Sequence, residues 1–176
     1  MSFNAGAVTC HIMEKEVIIR IDQLTKKYGE FEAVKGISFE VYRNEIFGLL
    51  GPNGAGKSTT LEIIETLREK TSGKVIVDGM DLDKRPDDIK KIIGVQLQTS
   101  GYYPNLNLTE LLMLFSGLYN QRIKPADFLA KVNLTDKAKA KYKELSGGQK
   151  QRFSIATTLI NQPTIIFLDE PTTGLD

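Results

Sequence analysis

The 176-residue chain is poor in the features that mark secreted, membrane-spanning or nucleic-acid-binding proteins. It has one cysteine, Cys10, so no disulfide can close within the chain, which fits a reducing compartment. A formal net charge of +1 provides no long-range field to gather nucleic acid or anionic lipid, and no nucleic-acid partner is expected. The longest apolar runs, such as "IFGLL" and "TIIFL", fall far short of the roughly 18 to 20 residues that a membrane-spanning helix needs. The opening "MSFNAGAVTCHIMEKEV" lacks the basic region and apolar stretch of a secretory signal; residues 1–15 read as a loose, disordered leader, with Met13 a second candidate start. Without export, the N-x-T triplets at Asn107 and Asn133 are chance matches. No internal repeat is present, and the one histidine, His11, lies in the leader. What remains, 41% hydrophobic and 26% charged, is ordinary globular composition for one domain with a real core, residues 16–176.

Hydrophobic patterning gives the organisation. "EVIIRID" and "GISFEVY" alternate like strands, and "NEIFGLL" reads as a buried strand. A helical stripe of Leu61, Ile64 and Leu67 follows, closed by the turn "TSG", and "KVIVDG" is another short strand. "KKIIGVQLQ" returns to strand character. From Thr109 to about Lys143 the texture is helical, with no convincing strand, which predicts a helical subdomain over about 99–144 inserted in an α/β core. The lysine-rich "DKAKAKYK" fits a solvated helix face. "SGGQKQRFSIATTLINQ" then reads as a capped helix and "TIIFLDE" as a strand.

Two groups of residues carry chemistry. Gly51 to Ser58, "GPNGAGKS", matches GxxxxGK[ST] between a predicted buried strand and a helix. Gly51, Gly54 and Gly56 let successive backbone N–H groups turn toward phosphates at the positive end of the helix. Lys57 would reach the β and γ phosphates and Ser58 would offer its hydroxyl to Mg²⁺. Asp169 and Glu170 stand at the carboxyl end of the strand from Thr164 to Leu168, where open α/β sheets place ligands. Asp169 would join the Mg²⁺ shell, and Glu170 would act as general base on the attacking water.

Between these groups lies "LSGGQKQR". Ser146 and Gln149 form an S-x-x-Q capping box, and Gly147 and Gly148 bare the first N–H groups of the next helix, a second anion site. With this stretch the sequence, from about Val17 onward, resembles the ATP-binding cassette (ABC) ATPases. The resemblance implies a nucleoside-triphosphatase core with a mixed or parallel sheet, an N-terminal antiparallel region and the inserted helical subdomain. It extends the ATP contacts to Pro52, Asn53, Ala55 and Thr59, and makes Tyr28 the aromatic that stacks on adenine. Gln98 matches the glutamine that touches Mg²⁺ and the nucleophilic water; Gln96, on the same strand face, is the rival. Leu145, Ser146, Gly147, Gly148 and Gln149 would act in trans, on ATP held by a second, head-to-tail cassette.

"TTGLD" resembles the loop that links the two active sites, with Asp176 its acidic residue. The family next supplies a switch histidine on a later strand; since His11 cannot serve, the fold and catalytic set are expected to be C-terminally incomplete at Asp176, with negligible turnover by the 176-residue chain alone. "GLLGPNGAGKSTTLEIIETLREKTSG" and "LDEPTTGLD" look most like cassettes that work with separate transmembrane permease subunits of ABC-2-type exporters. That implies ATP hydrolysis coupled to transport, at the inner face of the cell membrane. The alternatives are a non-transport ABC ATPase and a nucleotide-binding piece without turnover.

Overall fold

The computed structural model describes residues 16–96 and 101–168. Two long strands open it, β1 (Val17–Tyr28) and β2 (Phe31–Tyr42), paired antiparallel from Val17 opposite Tyr42 to Tyr28 opposite Phe31. Strand β3 (Ser72–Val77) lies on the other side of β1, and the short β4 (Met80–Asp81) completes an antiparallel sheet of order β2-β1-β3-β4. β1 therefore has a neighbour on each edge, and its Ile19, Ile21 and Leu24 are buried in the core that packs against the sheet. A separate parallel pair joins β5 (Ile93–Gln96) to β6 (Ile165–Leu168), with Ile93 opposite Ile165 and Gln96 opposite Leu168.

Helix α1 (Lys57–Ile64) packs its Ile63 and Ile64 into the core between these sheets, beside Val75, Val77, Phe167 and Ile89 of α2 (Pro86–Ile92). A second hydrophobic cluster is built by α3 (Leu108–Leu118), α4 (Pro125–Lys131) and α5 (Gly147–Thr158). Leu108, Leu111, Leu112, Leu129, Leu134 and Phe153 fill it. Around Phe153, the rings of Tyr102 and Tyr142 complete an aromatic group, with Tyr102 edge-on to Phe153 at 5.4 Å. No helix among the described residues is long and apolar enough to cross a membrane.

Four expectations need correction. Glu45 to Leu50 is not a strand, and Ile46 and Leu50 are almost fully exposed. No described strand lies alongside to complete a ladder with this segment, and Phe47 instead stacks on Phe39 of β2 at 5.1 Å. The first helix ends at Ile64, because Thr66 turns to φ 63°, and Leu67 is left exposed. "KKII" splits: Lys90 to Ile92 close a helix that Pro86 starts at its N-terminus and Asp87 and Asp88 favour in its first turn, and only Ile93 begins the strand. "DKAKAKYK" is not one helix face but falls across two 3-10 turns, Thr135–Lys137 and Tyr142–Glu144.

Candidate functional site

The glycine-rich loop arches from Gly51 into the first turn of α1. Gly56, the residue before the helix, has φ 84°, and Gly54 has φ 80°, a left-handed backbone that side chains other than glycine rarely adopt. Gly56 also lies against β2, close to Ala33 and Val34. The loop is held locally: Ala55 N–H donates to the Pro52 carbonyl at 3.2 Å, and the buried Thr60 hydroxyl donates to the Gly56 carbonyl at 2.8 Å. Lys57 Nζ donates to the carbonyl oxygens of Gly51 at 2.7 Å and Pro52 at 2.9 Å, which sets the ammonium across the mouth of the loop. Pro52, Asn53, Ala55 and Ser58 are exposed, and Thr59 is half-buried. A positive helix end, an ammonium and an exposed hydroxyl thus stand together on α1, a set suited to a chain of phosphates with its Mg²⁺.

Tyr28 ends β1, and the strand it turns into, β2, is the one that backs Gly56. The residue is 43% exposed. Two cations flank it: Lys26 Nζ lies 5.2 Å from the ring centroid and the Arg68 guanidinium carbon 5.6 Å. Arg68 Nη1 also donates to the Tyr28 hydroxyl at 2.6 Å, while Arg68 Nε donates to Glu62 on α1. The bond to Glu62 is the main cause holding the Arg68 guanidinium above its ordinary pKa. Neither Arg68 nor Glu62 stands out in the sequence; they are six residues apart across a helix end, and no motif spacing marks them.

At the other helix, Ser146 caps α5 as its spacing predicts. Ser146 Oγ accepts from Gln149 N–H at 3.3 Å, and Gln149 Oε1 accepts from Ser146 N–H at 3.0 Å. Leu145 is buried in the helical cluster, whereas Ser146 and Gly147 are exposed and Gly148 is half-buried. The capped end is thereby anchored from behind and open in front. The loop before α1 and the capped end of α5 grow from different hydrophobic clusters, so the two expected anion sites sit on separate platforms.

Gln98, Asp169, Glu170 and Asp176 lie outside the described residues. The strands that lead to three of them are described: β5 ends at Gln96, two residues before Gln98, and β6 ends at Leu168, immediately before Asp169. Because β5 and β6 are parallel and Gln96 pairs with Leu168, the described parts of both strands end side by side, carboxyl ends together, the end at which open α/β sheets bind ligands. Gln96, the rival to Gln98, is 4% exposed, and its Oε1 has no hydrogen-bond partner among the described residues. It shares a strand face with Gly94, where a Cβ would meet the Thr158 carbonyl of α5 at 2.5 Å, so Gln96 faces inward beneath the helical cluster.

Comparison with known proteins agrees with this architecture. The family model described as "ABC transporter" matches residues 34–173. A probable multidrug ABC transporter ATP-binding protein of Escherichia coli is 42% identical over 166 residues, covering 92% of this chain and 29% of that protein. A linearmycin resistance ATP-binding protein of Bacillus subtilis is 39% identical, covering 90% of this chain and 53% of that protein. A Nod factor export ATP-binding protein of Paraburkholderia xenovorans is 37% identical, with 92% and 55% covered. The chain thus spans about half the length of these curated relatives, or less. Among solved structures, an ATP-binding cassette of an ABC transporter in its ADP conformation superposes with a TM-score of 0.78 at 26% identity, covering 91% of this chain and 71% of the other. With a family match across most of its length and relatives well above 30% identity, the chain belongs to the ABC transporter family, as part of an ATP-binding cassette.

Proposed function

We propose that the chain is the ATP-binding and ATP-hydrolysing part of a transporter and powers a separate transmembrane subunit. The observation that carries this reading is the presence, in one chain, of two prepared helix N-termini on separate cores: α1 with Lys57 across its mouth, and α5 with the reciprocal Ser146–Gln149 cap. Phosphates of ATP would replace the Gly51 and Pro52 carbonyls as acceptors for Lys57, and the Thr59 and Ser58 end of α1 would face the same charge. Mg²⁺, when bound, neutralises phosphate charge; the exposed Ser58 hydroxyl fits it, with Asp169 and Gln98 as the further ligands, partly through water. Glu170 would take the proton of the attacking water. Tyr28 would carry the adenine.

The separation of the two platforms supports a head-to-tail pair, in which Ser146, Gly147 and Gly148 of one copy close over the nucleotide of another and Asp176 lies in the loop between the two sites. ATP binds the closed pair more tightly than the open one, and that difference is what shifts the transmembrane partner. The relatives named for multidrug transport, linearmycin resistance and Nod factor export support an exporter. In that assembly the chain would lie on the inner face of the cell membrane, held there by its permease.

Calorimetry with Mg-ATP on this chain and on Lys57→Ala tests the cradle. Weaker binding by the variant at equal foldedness is the expected result, and equal affinity would remove Lys57 from the site. In the assembled transporter, Glu170→Gln should retain ATP binding, lose phosphate release and accumulate the closed pair on sizing chromatography; undiminished turnover would rule out Glu170 as the base.

A further inference from the structure

We infer that Arg68 is the positioning residue of the adenine platform: it fixes the Tyr28 ring and ties it to the helix that holds the phosphates. The inference rests on the reading of Tyr28 as the surface that takes the base. A tyrosine at the end of a hairpin strand, with 43% of its surface exposed, has freedom to leave the orientation a base requires. Ordering such a ring at the moment of binding costs affinity, and a ring ordered beforehand avoids that cost. Arg68 supplies contacts that order it. Arg68 Nη1 donates to the Tyr28 hydroxyl at 2.6 Å, and the guanidinium lies 5.6 Å from the ring centroid, within reach of its π face.

Arg68 is itself fixed. Its Nε bonds Glu62, which lies in the last turn of the helix that begins with Lys57 and Ser58. The segment after Arg68 is also laced to the end of β1. Thr71 N–H donates to the Thr25 carbonyl at 2.9 Å, Lys27 N–H donates to Thr71 Oγ1 at 2.9 Å, and the Thr25 and Ser72 hydroxyls meet at 2.7 Å. Base platform and phosphate cradle therefore share one rigid unit, joined through Arg68. Lys26, the other cation over the ring, has no such tie to α1, so it is the one able to give way to a base.

The test compares Mg-ATP with inorganic tripolyphosphate, which carries the phosphates and no base. It uses this chain and the variants Tyr28→Ala, Tyr28→Phe, Arg68→Ala and the double variant Tyr28→Ala with Arg68→Ala. Arg68→Ala should weaken ATP by about two- to fivefold, the size of a surface cation–π contact. Its tripolyphosphate affinity should be unchanged, and the double variant should bind ATP no worse than Tyr28→Ala. Tyr28→Phe, which removes the hydroxyl without touching Arg68, should show part of the same loss, and it guards against an Arg68 variant that folds poorly. A normal ATP affinity in Arg68→Ala, or in Tyr28→Phe where the Arg68 variant folds poorly, overturns the inference, as does an equal loss for tripolyphosphate or a further loss in the double variant. If Tyr28→Ala itself binds ATP normally, the adenine platform is elsewhere and the inference falls with it. A loss in Tyr28→Ala with none in Arg68→Ala leaves the platform standing and removes only Arg68.

Discussion

A Cβ on Gly56 would sit 2.3 Å from the carbonyl oxygen of Ala33, so the loop before α1 meets β2 with no room for a side chain. The obstacle is backbone, which cannot swing aside, and φ at Gly56 is 84°. Gly56→Ala should cost about 2–3 kcal/mol, combining the clash with left-handed strain. Gly51 differs: its Cβ would make an ordinary 3.5 Å contact with Ala55. Gly51→Ala should therefore melt within about 0.5 kcal/mol of the parent while losing nucleotide affinity. Thermal melts alongside ATP titrations separate the two, and equal destabilisation would contradict the packing argument.

The Ser146 cap makes a second prediction. Ser146→Ala removes the acceptor for Gln149 N–H and leaves an orphan donor at the start of α5, at a cost of about 1 kcal/mol, or about 2–4 °C in melting temperature. Ser146→Gly should cost only a few tenths. Asn107 caps α3 in the same reciprocal way with Glu110, so Asn107→Ala should lose a similar amount. A Ser146→Ala protein that melts with the parent would mean that Leu145 and Phe153, packed behind, hold the helix end without the cap.

Tyr142 sets a pH dependence. Burial first, and then the nearby Tyr102, push its phenol up from 10.0 to about 12. A raised phenol is neutral in the folded chain at pH values where it would ionise in the unfolded chain, so its contribution is complete below pH 10 and is lost between pH 10 and about 12. Other groups titrate in that range, and Tyr142→Phe isolates this one. Its stability curve should fall less steeply than the parent's above pH 10, and parallel curves would show that the Tyr142 hydroxyl titrates normally.

What the sequence disclosed follows from how local each feature is. The cap at Ser146 and Gln149 needs only residues three apart, and the arch from Gly51 to Lys57 needs only its own glycines. The apolar run at Glu45 to Leu50 misleads because a strand exists only with a ladder partner, and no short-range pattern names the partner. Leu67 fits a helical stripe by spacing, yet Thr66 takes a left-handed backbone first. The Arg68–Tyr28 bond joins residues 40 apart, and only the pairing of β1 with β3 brings them together. Gln96 and Gln98 cannot be told apart by period two; of the two, only Gln96 lies among the described residues, where it is buried.

The same misread run yields the last prediction. Ile46 is 102% exposed and Leu50 is 91% exposed, while Ile166 and Leu168 of β6 also stand open to solvent. Among the described residues, β6 pairs on one side only, with β5, so its other edge presents free backbone donors and acceptors beside apolar side chains. An open edge carrying apolar residues and no charge is the arrangement that recruits another strand, and β6 reads "IIFL" without a lysine or proline to blunt it. The 176-residue chain on its own should therefore associate as concentration rises, through the β6 edge and the Glu45 to Leu50 strip. Sedimentation at several concentrations would show it as a rising average mass. Ile46→Lys and Ile166→Lys, which place charge on the strip and the edge, should each lower that mass while leaving ATP affinity near the parent's. A chain that remains monomeric throughout, or variants that associate as strongly as the parent, would show that these apolar residues are covered in solution and that the edge is closed from within the same chain.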